Sequence, residues 1–271
     1  MFQKVALGAA RLAPDRIKSI IHGHPLLDKI SRRLYGVLMG TRVVTIESGP
    51  MAGIRLLTGK HVSHAHIRGT YEVEVLRAVD HLVKPGAICY DLGASIGYIS
   101  LLMARKARHV YAFEPAPHAI AILNKQAAAN GLRNLTLIPT PISDSVREVS
   151  FALGDAAYGS GINEHETHFP VLRLTTTTLD LFAAENSAPD FIKIDVEGEE
   201  GRVLEGARGL LTAKRPTIVC ELHSAEAAAH SLRVLHECGY RVTMLDGSEF
   251  IPGESIRAGD VQVLCTCTTR A

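Results

Sequence analysis

The sequence predicts an α/β fold: a mostly parallel sheet of seven strands with helices on both faces, preceded by a helical and hairpin extension. Three observations predict it. Of the 271 residues, 46% are apolar and 21% charged, which is the balance of a chain with a packed core. From residue 86 onward, apolar strand-like runs alternate with stretches of helical length. That alternation implies βαβ units and a parallel sheet covered on both faces. The last two runs lack a helix between them, so they read as a hairpin that leaves an antiparallel strand at one edge.

Residues 1–40 read as one or two helices, broken near "HGHP". Residues 43–57, "VVTIESGPMAGIRLL", read as a hairpin turning between Gly49 and Gly53. "YEVEVLRAVDHLV" (71–83) has helical periodicity, and Pro85-Gly86 stops it. "AICYDL" is the first strand of the sheet and 96–106 the helix after it. "HVYAFEP" (109–115) is a strand, and the helix over 117–130 ends at Asn130-Gly131, a favourable C-cap pair. "LTLIPTPI" (135–142) and "FIKIDV" (191–196) are strands, the second followed by a helix over 199–213. "TIVCELH" (217–223) is a strand, 225–238 a helix, and "YRVTML" (240–245) and "VQVLCTC" (261–267) the final strands. The stretch 154–170 is long for a connection in a compact domain and reads as a substrate-side loop carrying Tyr158, Asn163, His165 and His168.

Net charge is +1, which argues against nucleic acid as the partner. The first 42 residues carry eight basic side chains against two acidic ones. They read as a solvated helical cap, or else as an amphipathic segment on an anionic membrane surface. There is no secretory layout and no apolar run long enough to span a bilayer, so a cytoplasmic protein is expected. Cys89, Cys220, Cys238, Cys265 and Cys267 form no CxxC pair and read as buried free thiols.

The chemistry starts at "YDLGASIG". Gly93 permits a backbone turn or a close approach that a Cβ would block. Gly97 lets the next helix pack close, and that helix offers free N–H groups at its start. Asp91 precedes the first glycine, an unfavourable place for a pyrophosphate but a good one for an ammonium group. Glu114 ends the next strand, 23 residues on, where an acid can accept both hydroxyls of a ribose. Asp144, past the third strand, could receive an adenine amino group. Ammonium, ribose and adenine in that order describe S-adenosylmethionine better than a nicotinamide dinucleotide.

The motifs "KPGAICYDLGASIGYISLLMA", "VYAFEPAP" and "FIKIDVEGEEGRVLEGA" resemble class I S-adenosylmethionine-dependent methyltransferases, and within them the FkbM family. The matching stretch runs from "GTYEVEVL" (69–76) to about "CELH" (220–223), over half of the chain. The resemblance implies a Rossmann-like sheet of seven strands with the last antiparallel, in a methyltransferase domain over 69–271 behind an extension over 1–68. It implies S-adenosyl-L-methionine as cofactor and O-methyl transfer to a hydroxyl of a sugar, glycan or secondary metabolite. It makes Asp91, Gly93, Ala94, Ser95 and Gly97 the methionine-side loop, approached by Glu72. Glu114, with Pro115 beside it, would bind the ribose, and Ser143 and Asp144 would flank the adenine. Ser95 stands where the family usually has asparagine. "IDVEG" puts Asp195 and Glu197 at the reaction centre.

A hydroxyl is a poor nucleophile at neutral pH, so a base or strong acceptor is wanted beside it. Asp195 and Glu197 lie two apart, on one face if the segment is extended, and Glu221 and His223 repeat the spacing on the next strand. His223 is the expected base. Glu197 could instead serve the start of the following helix. The four groups could hold a divalent cation, but the resemblance demands none and no metal is expected. Lys193 is expected to be a structural ion-pair partner. A non-catalytic cofactor-binding module and an N-methyltransferase are the competing readings. Intact Asp91, Glu114 and Asp195 count against the first, and the scarcity of aromatics, 5% with no Trp, against the second.

Overall fold

The computed structural model describes residues 41–59, 61–154, 160–163, 167–251 and 261–267. The helices expected over 1–40 lie outside them, as do Tyr158 and His165. The chain divides into two compact units, Met1–Tyr71 and Glu72–Ala271. Among the described residues no helix is long and apolar enough to cross a membrane.

In the first unit, β1 (Val43–Thr45) pairs antiparallel with β2 (Arg55–Leu57), and Gly49 and Gly53 adopt positive φ in the turn between them. A short helix follows, α1 (His64–Arg68), capped by Ser63, whose hydroxyl accepts the His66 N–H at 3.5 Å and lies 2.8 Å from His66 Nδ1. The His66 ring stacks on Tyr71 with centroids 3.9 Å apart.

The second unit begins with α2 (Val73–Leu82) and then alternates β3 (Ile88–Leu92), α3 (Tyr98–Ala104), β4 (His109–Phe113), α4 (Pro117–Ala129) and β5 (Leu135–Ile138). Beyond a three-stranded sheet come α5 (Leu179–Glu185), β9 (Phe191–Ile194), α6 (Glu200–Glu205), α7 (Arg208–Ala213), β10 (Thr217–Leu222), α8 (Ala225–Glu237), β11 (Tyr240–Met244) and β12 (Val261–Cys267). The three-stranded sheet is β6 (Glu148–Ala152) with β7 (Gly161–Ile162) on one side and β8 (Val171–Thr175) on the other.

The main sheet has the order β11-β12-β10-β9-β3-β4-β5. The strands β3, β4, β5, β9 and β10 are mutually parallel, and β12 runs antiparallel to both β10 and β11. The antiparallel strand is therefore second from the edge; β11, the edge strand itself, has the common direction. The sequence showed the hairpin correctly, but a hairpin alone does not say which of its strands docks on β10. Strand order reverses between β3 and β9, which places the ligand-binding end of the sheet at the carboxyl ends of those two strands.

All five residues of β3 and all four of β9 are buried. Tyr90, Phe113 and Phe182 form an aromatic cluster with centroids 4.8–5.6 Å apart, and the Tyr90 hydroxyl donates to the Ser187 carbonyl at 2.9 Å. Each such ring contributes roughly 1.5–3 kcal/mol by leaving water. Cys89, Cys220, Cys238 and Cys265 are buried free thiols, as expected, and Cys267 is half-buried.

The single helix expected over 199–213 is two. The break at Gly206-Ala207 has a physical cause. A Cβ on Gly206 would stand 2.3 Å from the Ser143 carbonyl oxygen, so the chain needs a bare Cα there. The Asp180 carboxylate then accepts the N–H groups of Gly209 and Leu210 at 2.9 and 2.7 Å and starts a new helix. Gly206→Ala should lower the unfolding free energy by about 1–3 kcal/mol through overpacking. Urea denaturation would measure this, and an unchanged midpoint would show that the contact yields freely.

Candidate active site

The loop after β3 is shaped by one close approach. Gly93 has φ of 74°, and a Cβ on it would lie 1.7 Å from the carbonyl oxygen of Asp195. No side chain fits there. The N–H groups of Gly93 and Ala94 both donate to the Phe113 carbonyl at 3.0 Å, which ties the loop to the end of β4. Gly97, with φ of 86°, starts α3.

Glu114 follows β4 and is 6% exposed. Its Oε2 accepts the Ser95 N–H and its Oε1 the Ala116 N–H, each at 2.8 Å. Each oxygen keeps one lone pair. Burial pushes this carboxyl up to about 7, against the pull of the two backbone N–H groups and Lys193. Glu114, Pro115, Gly93, Asp195, Val196 and Glu199 help to line a cleft, to which β7 adds Gly161 and Ile162.

Beneath the loop lies a buried ion cluster. Lys193, 5% exposed, sends its Nζ to Asp195 Oδ2 at 2.9 Å, to the Gly93 carbonyl at 3.3 Å and to within 3.9 Å of Asp91 Oδ1. Burial alone would favour the neutral amine, but Asp195, Asp91 and Glu72 together hold its pKa above the ordinary lysine value. Asp91 is completely buried and also accepts the Ser100 hydroxyl at 2.5 Å. Its burial raises its pKa against the opposing effects of Lys193 and Ser100.

At the end of β10, His223 gathers the acids of the next turn. Its Nδ1 is 2.8 Å from Glu200 Oε1, and its Nε2 is 3.4 Å from Asp195 Oδ1 and 3.9 Å from Glu197 Oε2. Burial depresses the imidazolium, but Glu200, Asp195 and Glu197 outweigh it and push the ring up to about 9. A histidine raised from 6.5 to about 9 stabilises the fold fully below pH 6.5 and loses that contribution as pH rises through about 9. Glu221, on the same strand, is pushed up to about 7 by burial and by the charges of Asp195 and Glu72.

Of the residues expected at the cofactor, Gly93, Glu114, Pro115 and Asp195 line the cleft. Asp91 does not; it lies under the loop with Lys193. Ala94 is buried, Ser95 (φ 50°) holds Glu114, and Glu72 (φ 46°) sits at the N-cap of α2. Ser143 is fully buried and donates to Glu199 at 3.0 Å, while Asp144 accepts the Ser145 hydroxyl at 3.0 Å. At this end of the cleft the acid in the lining is Glu199, not Asp144. Asp195, Glu197 and His223 come together as expected, although Glu197 has φ of 55° and is part of a turn rather than an extended segment. Asn163 is tied by its N–H to the Ser150 carbonyl, and His168 is exposed. Among the described residues no three acidic, imidazole or thiol groups converge as a metal site.

Sequence reasoning missed the two most telling acids, Glu199 and Glu200. The signal was present in "VEGEEG": three acids crowd into four residues at the entry to a helix, of which Glu200 alone lies in its first turn. Lys193 is an ion-pair partner as expected, but it stands at the centre of the site. Lys193→Met would leave Asp91 buried beside no cation, at a cost of about 3–5 kcal/mol at neutral pH. Because burial already raises the Asp91 pKa, protonation relieves that loss as pH falls. Urea melts at pH 7.5 and 5 would show a smaller deficit at the lower pH; equal deficits would mean that Asp91 is not the group left uncompensated.

Residues 91–242 match the methyltransferase FkbM domain. Over 170 residues the chain is 28% identical to the hexuronic acid methyltransferase AglP of Haloferax volcanii, covering 61% of this chain and 68% of that protein. Among solved structures it is similar to methyltransferase FkbM from Methylobacillus flagellatus KT, with TM-score 0.44, 16% identity and coverage of 75% of this chain and 55% of that one. Precorrin-6y C5,15-methyltransferase from Geobacter metallireducens GS-15 gives TM-score 0.46 at 13% identity, with 73% and 88% covered. The chain belongs to the FkbM family and is an S-adenosylmethionine-dependent methyltransferase.

Proposed function

We propose that the protein transfers a methyl group from S-adenosylmethionine to a hydroxyl of a sugar or glycan. The observation that carries this is the imidazole of His223 beside Asp195, the residue that follows β9 and lines the cleft. A 28% identical relative is named for a hexuronic acid, which supports a sugar as the acceptor.

The residues present fit the cofactor. The missing Cβ of Gly93 leaves the loop low over Asp195, and Glu114 faces the cleft with a lone pair spare on each oxygen. In this reading Glu114 accepts the two ribose hydroxyls, with Pro115 beside it. The loop Gly93-Ala94-Ser95, with Gly97 and Glu72, holds the methionine end above the Lys193 cluster, and Asp91 acts through Lys193. Ser143 supports the adenine end by positioning Glu199, with Asp144 beside it. The cofactor, when bound, supplies a methyl activated on a sulfonium. His223 Nε2 takes the proton from the acceptor hydroxyl, while Asp195 and Glu197 orient that hydroxyl and balance the charge of the imidazolium.

Two outcomes follow. Hydroxyl donors favour the ionised form of Glu114, so cofactor affinity should be level above pH 7 and fall by up to about tenfold per pH unit below it. Glu114→Gln should cost about 1.5–3 kcal/mol of affinity and flatten that dependence. Calorimetry with S-adenosylmethionine would check both; parental affinity in the variant refutes the ribose assignment.

The acceptor is tested with methyl-labelled cofactor and a panel of methyl glycosides of neutral hexoses, deoxyhexoses and hexuronic acids. A methylated glycoside supports the reading, and no transfer to any of them rejects a simple sugar acceptor. His223→Ala should lower turnover of the accepted glycoside by about 10²–10⁴-fold with little change in cofactor affinity.

A further inference from the structure

Glu200 is completely buried, has no solvent contact and sits in the first turn of α6. A carboxylate of this kind is rarely buried without a partner of matching chemistry. It has two partners on one oxygen: Oε1 accepts the Gly198 N–H at 2.9 Å and meets His223 Nδ1 at 2.8 Å. Its Oε2 is buried with no hydrogen-bond partner. The Gly198 N–H already points at Oε1, so the carboxylate is fixed independently of the imidazole. The opposite ring nitrogen faces Asp195 and Glu197.

We infer that Glu200 is the positioning residue of the methyl transfer: it holds His223 as the Nδ1–H tautomer and leaves the Nε2 lone pair directed at the acceptor hydroxyl. This rests on the reading of His223 as the base. The logic is that of any imidazole base whose far nitrogen is held by a buried carboxylate. A ring with two equivalent tautomers would present a lone pair only part of the time. One whose Nδ1 is committed to an acceptor-only oxygen presents it whenever it is neutral. Glu200 does not touch the acceptor; it acts through the ring.

The charges facing the ring are Glu200 from α6, Asp195 and Glu197 from the turn before it, and Glu221 from its own strand. Glu200 is the closest of the three acids paired with the ring, and of those three it alone lies on the Nδ1 side. Removing its charge while keeping its shape therefore separates tuning of the ring from the other acids. Glu200→Gln does so: the amide oxygen can keep both the Gly198 and Nδ1 contacts, with the amide nitrogen at the partnerless Oε2 position.

The test uses the full chain. Nitrogen-15 spectra of His223 in the parent, above its midpoint near 9, should show Nδ1 protonated and Nε2 bare. A bare Nδ1 overturns the proposal without any variant. In Glu200→Gln the midpoint should fall by about one pH unit or more. The pH-rate midpoint on the accepted methyl glycoside should fall with it, and the plateau should drop about tenfold as the base weakens. An unmoved ring midpoint overturns the role of Glu200 and leaves the base in place. A ring midpoint that moves while the rate profile stays still means that the ring is not the base, and the positioning role falls with it. If no glycoside is accepted, the sugar reading fails, and the tautomer and midpoint still decide whether Glu200 sets the ring.

Discussion

One buried ammonium organises the catalytic end of this protein. Lys193 lies on β9, directly across the parallel ladder from Asp91 on β3, and reaches up to Asp195, two residues on and just past the end of its strand. A lone ammonium at that depth could not remain charged, and burial works against an ionised Asp91 without it. The cluster sits where strand order reverses, so its charges are shared by the two strands whose loops form the cleft. Its third contact, the Gly93 carbonyl, ties the loop backbone to the same atom. The close approach of Gly93 to Asp195 therefore has an electrostatic fastening below it as well as a steric limit.

That surplus of acids has a consequence for proton affinities. Glu114 and Glu221 are both held near 7, and His223 near 9. For the carboxyls burial is the leading cause, and for the imidazole the acids around it overcome burial. Glu114 in the cleft and Glu221 beside Asp195 therefore change charge close to neutrality, where small additions of charge decide the protonation state. A cationic ligand entering this region favours ionised carboxylates and a neutral ring together, which is the protonation pattern that proton removal from a hydroxyl requires.

Much of the fold was legible because the strands of a doubly covered sheet are apolar throughout and their connections are long. "AICYDL", "HVYAF" and "FIKI" show this without any structure. The three-stranded sheet was not read from "EVSFA" and "VLRLT", whose alternation is short and half polar, although Val149 and Phe151 bury their side chains as strand residues do. The place of β12 depends on a pairing choice between two neighbours, which no local pattern encodes. In the site, the expected residues on strand ends were legible because strand ends have fixed addresses in this architecture. Glu199 and Glu200 were not, since their roles follow from where α6 begins. A shift of one residue in that start would exchange the acid that faces Ser143 for the one that faces His223.

The antiparallel β12 is wedged between β10 and β11, and every neighbour it has was made before it. During synthesis the sheet therefore stays open on one side until its last strand leaves the ribosome. Until then Ile218, Cys220 and Leu222 of β10, along with Val242 and Met244 of β11, lack the partner that covers them. The hairpin contact is the more local of the two, whereas the β10 contact spans about forty residues and closes the longer loop. The nascent chain thus carries an unpaired apolar strand edge between the making of β11 and that of β12, the interval in which a chaperone that shields strand edges has most to cover.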